Sequence, residues 1–192
     1  MTNTSTQPRT VSTVDRGKLD IKALVLLAVL LAAGFILNFT VGKSIATLTG
    51  NAIGPEFIIS AFCLTILIIR PNIGQALVIG LISAAVIQLT TSSPFIDFAA
   101  EGIAAMLMAL IVNLGMRTPA AKLIPLVGTF VATAVSGIIF MTIKLATMGF
   151  APEVVAALPA AMLPVIFATA AFNAVVVAAL YLPMRKALKL GD

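Results

Sequence analysis

Asp97, Glu101 and Lys144 are charged side chains placed inside apolar runs, and they are the residues of this chain best suited to do chemistry. Asp97 and Glu101 stand four residues apart, so on a helix both carboxylates share one face, a turn from each other. Ionisable groups at membrane depth are expensive, and they face a bundle interior or a water-filled pocket and take a partner there. Lys144 lies at a comparable depth in a later apolar run and is the natural partner. The set either holds a charged part of a small solute or closes as a structural ion pair. At the same level the sequence supplies Asn38, Lys43, Glu56, Gln88 and Thr90, hydrogen-bonding groups from different segments that would converge on one pocket. Glu56 follows a proline at a helix start, where the helix dipole alone favours an acid.

Other chemistry is excluded by type. The chain has no His and a single Cys, Cys63, inside an apolar run. Zinc sites built from Cys and His, Ser-His-Asp triads and a disulfide within the chain all fall away. Cys63 reads as a small buried hydrophobe. There is no G-x-x-x-x-G-K-[ST] phosphate loop, so uphill movement of a solute would need ATP hydrolysis on partner subunits or an ion gradient. We expect no catalytic residue, no metal and no cofactor.

The elements that must position these residues follow from composition. Of 192 residues, 60% are hydrophobic and 10% charged, against about 25% charged in a soluble domain. A bilayer-crossing helix needs about 20 mostly apolar residues, and the apolar total allows about six. The sequence predicts an all-α integral membrane protein with spans near 22–39, 55–69, 73–89, 95–114 and 123–147, and a sixth starting at Pro159 or Pro164 and ending near Pro183. Residues 40–54 read as a polar connector, Arg70-Pro71-Asn72 as a tight turn, and 153–158 as a short re-entrant or interfacial helix. Residues 1–20, rich in Ser and Thr without an apolar period, read as a disordered cytoplasmic tail ahead of a single 21–192 domain.

With six spans, ten of the twelve Lys and Arg fall on one side, leaving only Lys43 and Lys144 on the other. Cytoplasmic loops keep basic residues, so both termini are expected inside and the polar pocket opens outward. Asn113 falls at the cytoplasmic end. Asn173, near the middle of the last span, is expected to make an interhelical hydrogen bond.

The chain resembles the substrate-binding S components of energy-coupling factor transporters, the bacterial uptake systems for micronutrients. The likeness rests on the six spans, both ends inside, a polar outward end, and Ala28 and Ala32 in an Ala-x-x-x-Ala pattern on the first span. Within that group it is most similar to the tryptophan-transporter subfamily, through Leu81-Ile82-Ser83-Ala84, Leu89-Thr90-Thr91-Ser92-Ser93-Pro94, Ala171-Phe172-Asn173 and Leu180-Tyr181. It departs from that pattern after the Thr-Thr pair, where an acid, Asp97, follows in place of a Gly-rich, amide-containing stretch. The resemblance implies an S-component-like bundle in the bacterial inner membrane that captures a vitamin or amino acid, with tryptophan as the solute. It also implies a transmembrane coupling subunit packed against Ala28 and Ala32, with two ATPase subunits beyond it. A zwitterionic amino acid would suit a site holding Lys144 with Asp97 or Glu101. The competing readings are a self-sufficient ion-coupled secondary transporter, with Glu101 or Asp97 as the coupling carboxylate, and an intramembrane enzyme or assembly factor.

Overall fold

The computed structural model describes residues 19–89, 91, 93–147 and 149–188. Among them every regular element is helical. Each apolar segment of the sequence forms one helix: α1 Ile21–Leu48, α2 Phe57–Ile69, α3 Ile73–Ile87, α4 Ile96–Gly115, α5 Ile124–Thr147 and α6 Pro152–Ala187. A 3-10 turn, Pro119–Leu123, leads into α5. Four helices, α1, α4, α5 (with its leading turn) and α6, are long and apolar enough to cross a membrane. The other two, of 13 and 15 residues, reach only about 20 Å at about 1.5 Å per residue, against a hydrocarbon core of about 30 Å.

The shorter of these is the centre of the bundle. Every residue of α2 from 57 to 67 is buried, and α2 touches α1, α3, α4, α5 and α6. A helix apolar all round can be stable only when it is enclosed on all sides. Phe62, Cys63 and Ile66 are fully buried in it, and they join Ile79 of α3, Met108 and Val112 of α4, and Val177 of α6 in one core. Around this hub, α3 packs on α4, α4 on α5, and α5 on α6. By contrast α1 buries a single stripe, Ala23, Leu27, Leu31 and Gly34, and leaves Ala28 and Ala32 exposed.

Two glycines set the approach of these helices. A Cβ on Gly34 would lie 2.8 Å from the Phe57 carbonyl oxygen, and one on Gly80 would lie 2.5 Å from that of Glu101. Only the missing side chain lets α1 meet α2, and α3 meet α4, backbone to backbone. The turn between α2 and α3 is as short as its sequence indicates. Arg70 takes a left-handed conformation at φ 53°, and Asn72 opens α3 with a reciprocal capping box to Gln75. Asn113 of α4 donates to the Pro71 carbonyl at 2.9 Å, which pins the turn.

Two expectations of the sequence are corrected. Residues 40–54 are not a connector throughout, because α1 continues through a wide π turn, Asn38–Gly42, to Leu48. The polar side chains that suggested a loop are satisfied within the helix: Thr40, Ser44 and Thr47 each donate to the carbonyl four residues back. No separate helix forms at 153–158, since α6 runs unbroken for 36 residues and starts at Pro152, ahead of both prolines proposed as its beginning. Pro159 and Pro164 lie inside it, where each removes one backbone hydrogen bond and frees the carbonyl four residues back, on Val155 and Ala160. Most of the expected tail, residues 1–18, lies outside the described residues.

Candidate functional site

The loop before α2 carries three backbone N–H groups that no helix satisfies, and three side chains from other helices take them. Gly54 N–H donates to Thr169 Oγ1 at 3.1 Å, Glu56 N–H to Asn173 Oδ1 at 3.3 Å, and Phe57 N–H to Asn38 Oδ1 at 2.7 Å. Asn38 belongs to α1 and the other two to α6, so this loop is clamped between both. In place of the interhelical bond expected of it, Asn173 bonds to the backbone of the loop that leads into α2. Asn38 also donates through Nδ2 to Glu56 Oε2 at 3.4 Å. The π turn is what makes this reach possible, because an extra residue in the turn changes which side chains face inward. Asn38 is half-buried there, and Gly42, four residues on, is buried.

Above the clamped loop lies a cavity of about 550 Å³. All six helices or the loops at their ends contribute to its wall. Its polar lining is Asn38, Lys43, Glu56, Thr91, Asp97, Glu101, Thr133, Ser136 and Thr169, and its apolar lining includes Phe39, Ile59, Ile87, Phe140, Met162 and Ile166. Five of the eight sequence-expected residues are therefore brought together: Asn38, Lys43, Glu56, Asp97 and Glu101.

Asp97 and Glu101 lie on one face of α4, as their spacing requires, and both are buried, at 5% and 3% exposure. Glu101 accepts a hydrogen bond from Ser136 Oγ at 2.7 Å through Oε1, while its Oε2 has no partner. Thr133, one turn before Ser136 on α5, is equally buried and its hydroxyl is also without a partner. Buried polar atoms are nearly always hydrogen-bonded, so two open ones on the wall of one cavity mark where this wall is unsaturated.

Two of the remaining three stand elsewhere. Gln88 is outside the wall and organises it: Nε2 donates to Asp97 Oδ2 at 3.1 Å, and Oε1 accepts from the Phe95 N–H at 3.0 Å. It thereby holds Phe95, in a left-handed conformation at φ 68°, as the residue that starts α4. Lys144 does not pair with Glu101. Its Nζ lies 5.4 Å from the centre of the Phe140 ring, outside the residues that line the cavity. The reason is level along the helix: Ser136 is the α5 side chain that meets Glu101, and Lys144, eight residues on, lies about 12 Å further along the axis. Thr90 lies outside the described residues. Lys43 lines the cavity as an exposed residue, its ammonium 4.2 Å over the Phe39 ring.

Sequence reasoning missed Thr133, Ser136, Thr169, Phe140 and Met162. Ser136 sits in the small-residue series Gly128, Ala132, Ser136, which reads as packing, and nothing in its neighbours marks it as a carboxylate's donor. No known protein family, curated protein or solved structure matches the chain.

Proposed function

We propose that this chain is the solute-capturing membrane subunit of an energy-coupled importer in a bacterial inner membrane. In this reading α2 and α3, with their flanking residues, complete six spans, both termini are cytoplasmic, and the cavity opens outward. The chain carries out no catalysis itself. It holds the solute and delivers it with a transmembrane coupling subunit and two ATPase subunits, as in the energy-coupling factor transporters it resembles.

The observation that carries the reading is the cavity. Its volume, about 550 Å³, falls within the range of about 300–1,000 Å³ found for small-molecule pockets, and its wall joins apolar side chains to a few polar groups, two of them unsatisfied. That is the chemistry of a site that takes one vitamin- or amino-acid-sized molecule and orients it, with tryptophan as the solute the resemblance suggests. The exposed small residues Ala28 and Ala32 on α1 support a partner helix, since only small side chains allow close approach.

The test has two halves. The purified chain should bind its solute alone, and cells should accumulate that solute only when the coupling and ATPase subunits are co-expressed. Uptake at full rate in a host lacking those subunits would refute the importer. One observation favours a second reading, an ion-coupled carrier: the open oxygen of Glu101 is a place for a coupling proton or sodium ion. Collapse of uptake on dissipating the ion gradient, with ATP held constant, would select it.

A further inference from the structure

The charges on the cavity wall are unequal. Three carboxylates line it, Glu56, Asp97 and Glu101, against one ammonium, Lys43. Lys43 is exposed and already sits against the Phe39 ring. The donors that reach the carboxylates are neutral: the Asn38 amide on Glu56, the Gln88 amide on Asp97 and the Ser136 hydroxyl on Glu101. Lys144, the cation that would have balanced Glu101 and received the acid end of a zwitterion, stands outside the wall, where its charge acts on Asp97 rather than on Glu101.

We propose that the cavity takes a small organic cation, an amine on an apolar or aromatic body, with the ammonium on Glu101. This inference rests on the capture reading above and names the substrate class of the same site. A carboxylate held away from water is stabilised far more by an opposite charge than by neutral donors. Glu101 keeps one oxygen open for it, and the open hydroxyl of Thr133 offers a second acceptor one helical turn from the Ser136 that orients Glu101. The body of the ligand would lie among Phe140, Met162 and Ile166, where aromatic faces also favour a cation.

An inorganic cation fits less well. Among the described residues no group of three or more His, Cys, Asp or Glu side chains is close enough to hold a metal ion. The carboxylates are spread around a cavity of about 550 Å³, which suits a molecule rather than an ion.

The experiment titrates the purified full chain in nanodiscs with matched probes by calorimetry. Tryptamine, phenethylamine and benzyltrimethylammonium are the cations, tryptophan and phenylalanine the zwitterions, and indole-3-propionate and 3-phenylpropionate the anions. At least one amine should bind, and its acid counterpart should not. Glu101→Gln keeps an acceptor for Ser136 and removes the charge, and it should weaken amine binding about 10- to 100-fold with no fall in the melting temperature of the empty protein. Thr133→Val should also weaken the primary amines and serves if Glu101→Gln does not fold. Tighter binding of a zwitterion or an anion than of any amine would overturn the substrate class and leave the capture reading standing. Amine binding equal in wild type, Glu101→Gln and Thr133→Val would overturn the placement of the ammonium. No binding by any of the seven probes would count against the capture reading itself and take this inference with it.

Discussion

Replacing Gly80 by Ala should destabilise this protein, although the same change in most helices is favourable. The new Cβ would stand 2.5 Å from the Glu101 carbonyl oxygen and 2.8 Å from the Ala105 Cβ, so α3 and α4 must separate by most of an ångström to restore ordinary contact. Overpacking of this kind costs about 1–3 kcal/mol, and the better helix propensity of Ala returns about 1 kcal/mol. The net loss is up to about 2 kcal/mol. Gly102 supplies the control, because it faces α3 from the other side of the same contact. A Cβ there meets only the end of the Leu77 side chain at 3.1 Å and of Leu81 at 3.7 Å, which can rotate away. Gly102→Ala should therefore be neutral or stabilising by up to about 1 kcal/mol. The chain lacks Trp and has one Tyr, so unfolding in detergent is best followed by far-ultraviolet circular dichroism. Gly80→Ala should also weaken solute binding, since the atom it displaces is the backbone of Glu101. Equal stability of the two variants would refute the argument that backbone contact, rather than side-chain contact, sets the α3–α4 distance.

Three further changes probe the rest of the site. Gln88→Leu removes the acceptor of the Phe95 N–H and the donor to Asp97; a drop of about 1–3 kcal/mol in stability is expected on denaturation, with a smaller loss of affinity than Glu101→Gln, and unchanged stability would mean that the start of α4 is held by other groups. Ala28→Leu with Ala32→Leu should abolish co-purification with the coupling subunit while solute binding by the isolated chain persists, because both residues are exposed on α1 and away from the cavity wall; co-purification at wild-type yield would contradict it. Phe140→Trp gives the chain a single Trp on the cavity wall, and its emission should change as a solute fills the cavity; emission that stays constant at saturation would place the bound solute elsewhere.

How far the site could be read beforehand depended on whether local spacing carried the information. Asp97 and Glu101 share a face because four residues make about one helical turn, and that much holds for any helix. Their partner depended on how far two helices slide along each other. Counting residues placed Lys144 at the depth of Glu101, whereas the packing of α5 on α4 brings Ser136 to that level and leaves Lys144 about 12 Å further along. The polar run at 40–54 misled for a related reason: Thr and Ser read as turn formers when they bond to their own chain out of helix, yet their hydroxyls bond equally well to the carbonyl one turn back, and in α1 they do. The prolines of α6 carry the same ambiguity, since a proline costs a helix one backbone bond without always ending it, and in α6 it does not. The clamp on 54–57 was out of reach, since its two α6 side chains stand more than a hundred residues from the groups they take, and those backbone groups, like the Phe57 N–H taken by Asn38, leave no mark in the sequence.

The cavity itself has a cause that lies in the length of one helix. α2 and α3 are joined by a three-residue turn, and Asn113 holds that turn at the end of the bundle opposite the cavity. Both helices therefore start from a fixed level. Only α2 stops short at the other end: with 13 residues it begins at Phe57, whereas α3 runs on to the level where α4 starts, and there Gln88 meets Asp97 and the Phe95 N–H. What stands above α2 is the loop at 54–56, which meets the cavity together with Ile59 and, from the last turn of α3, Ile87. A hub helix continued through 54–56 would put side chains where the cavity now lies and leave no room for a ligand. The shortness of α2, which on length and composition alone counts against it as a span, is what gives the buried carboxylates a space to face.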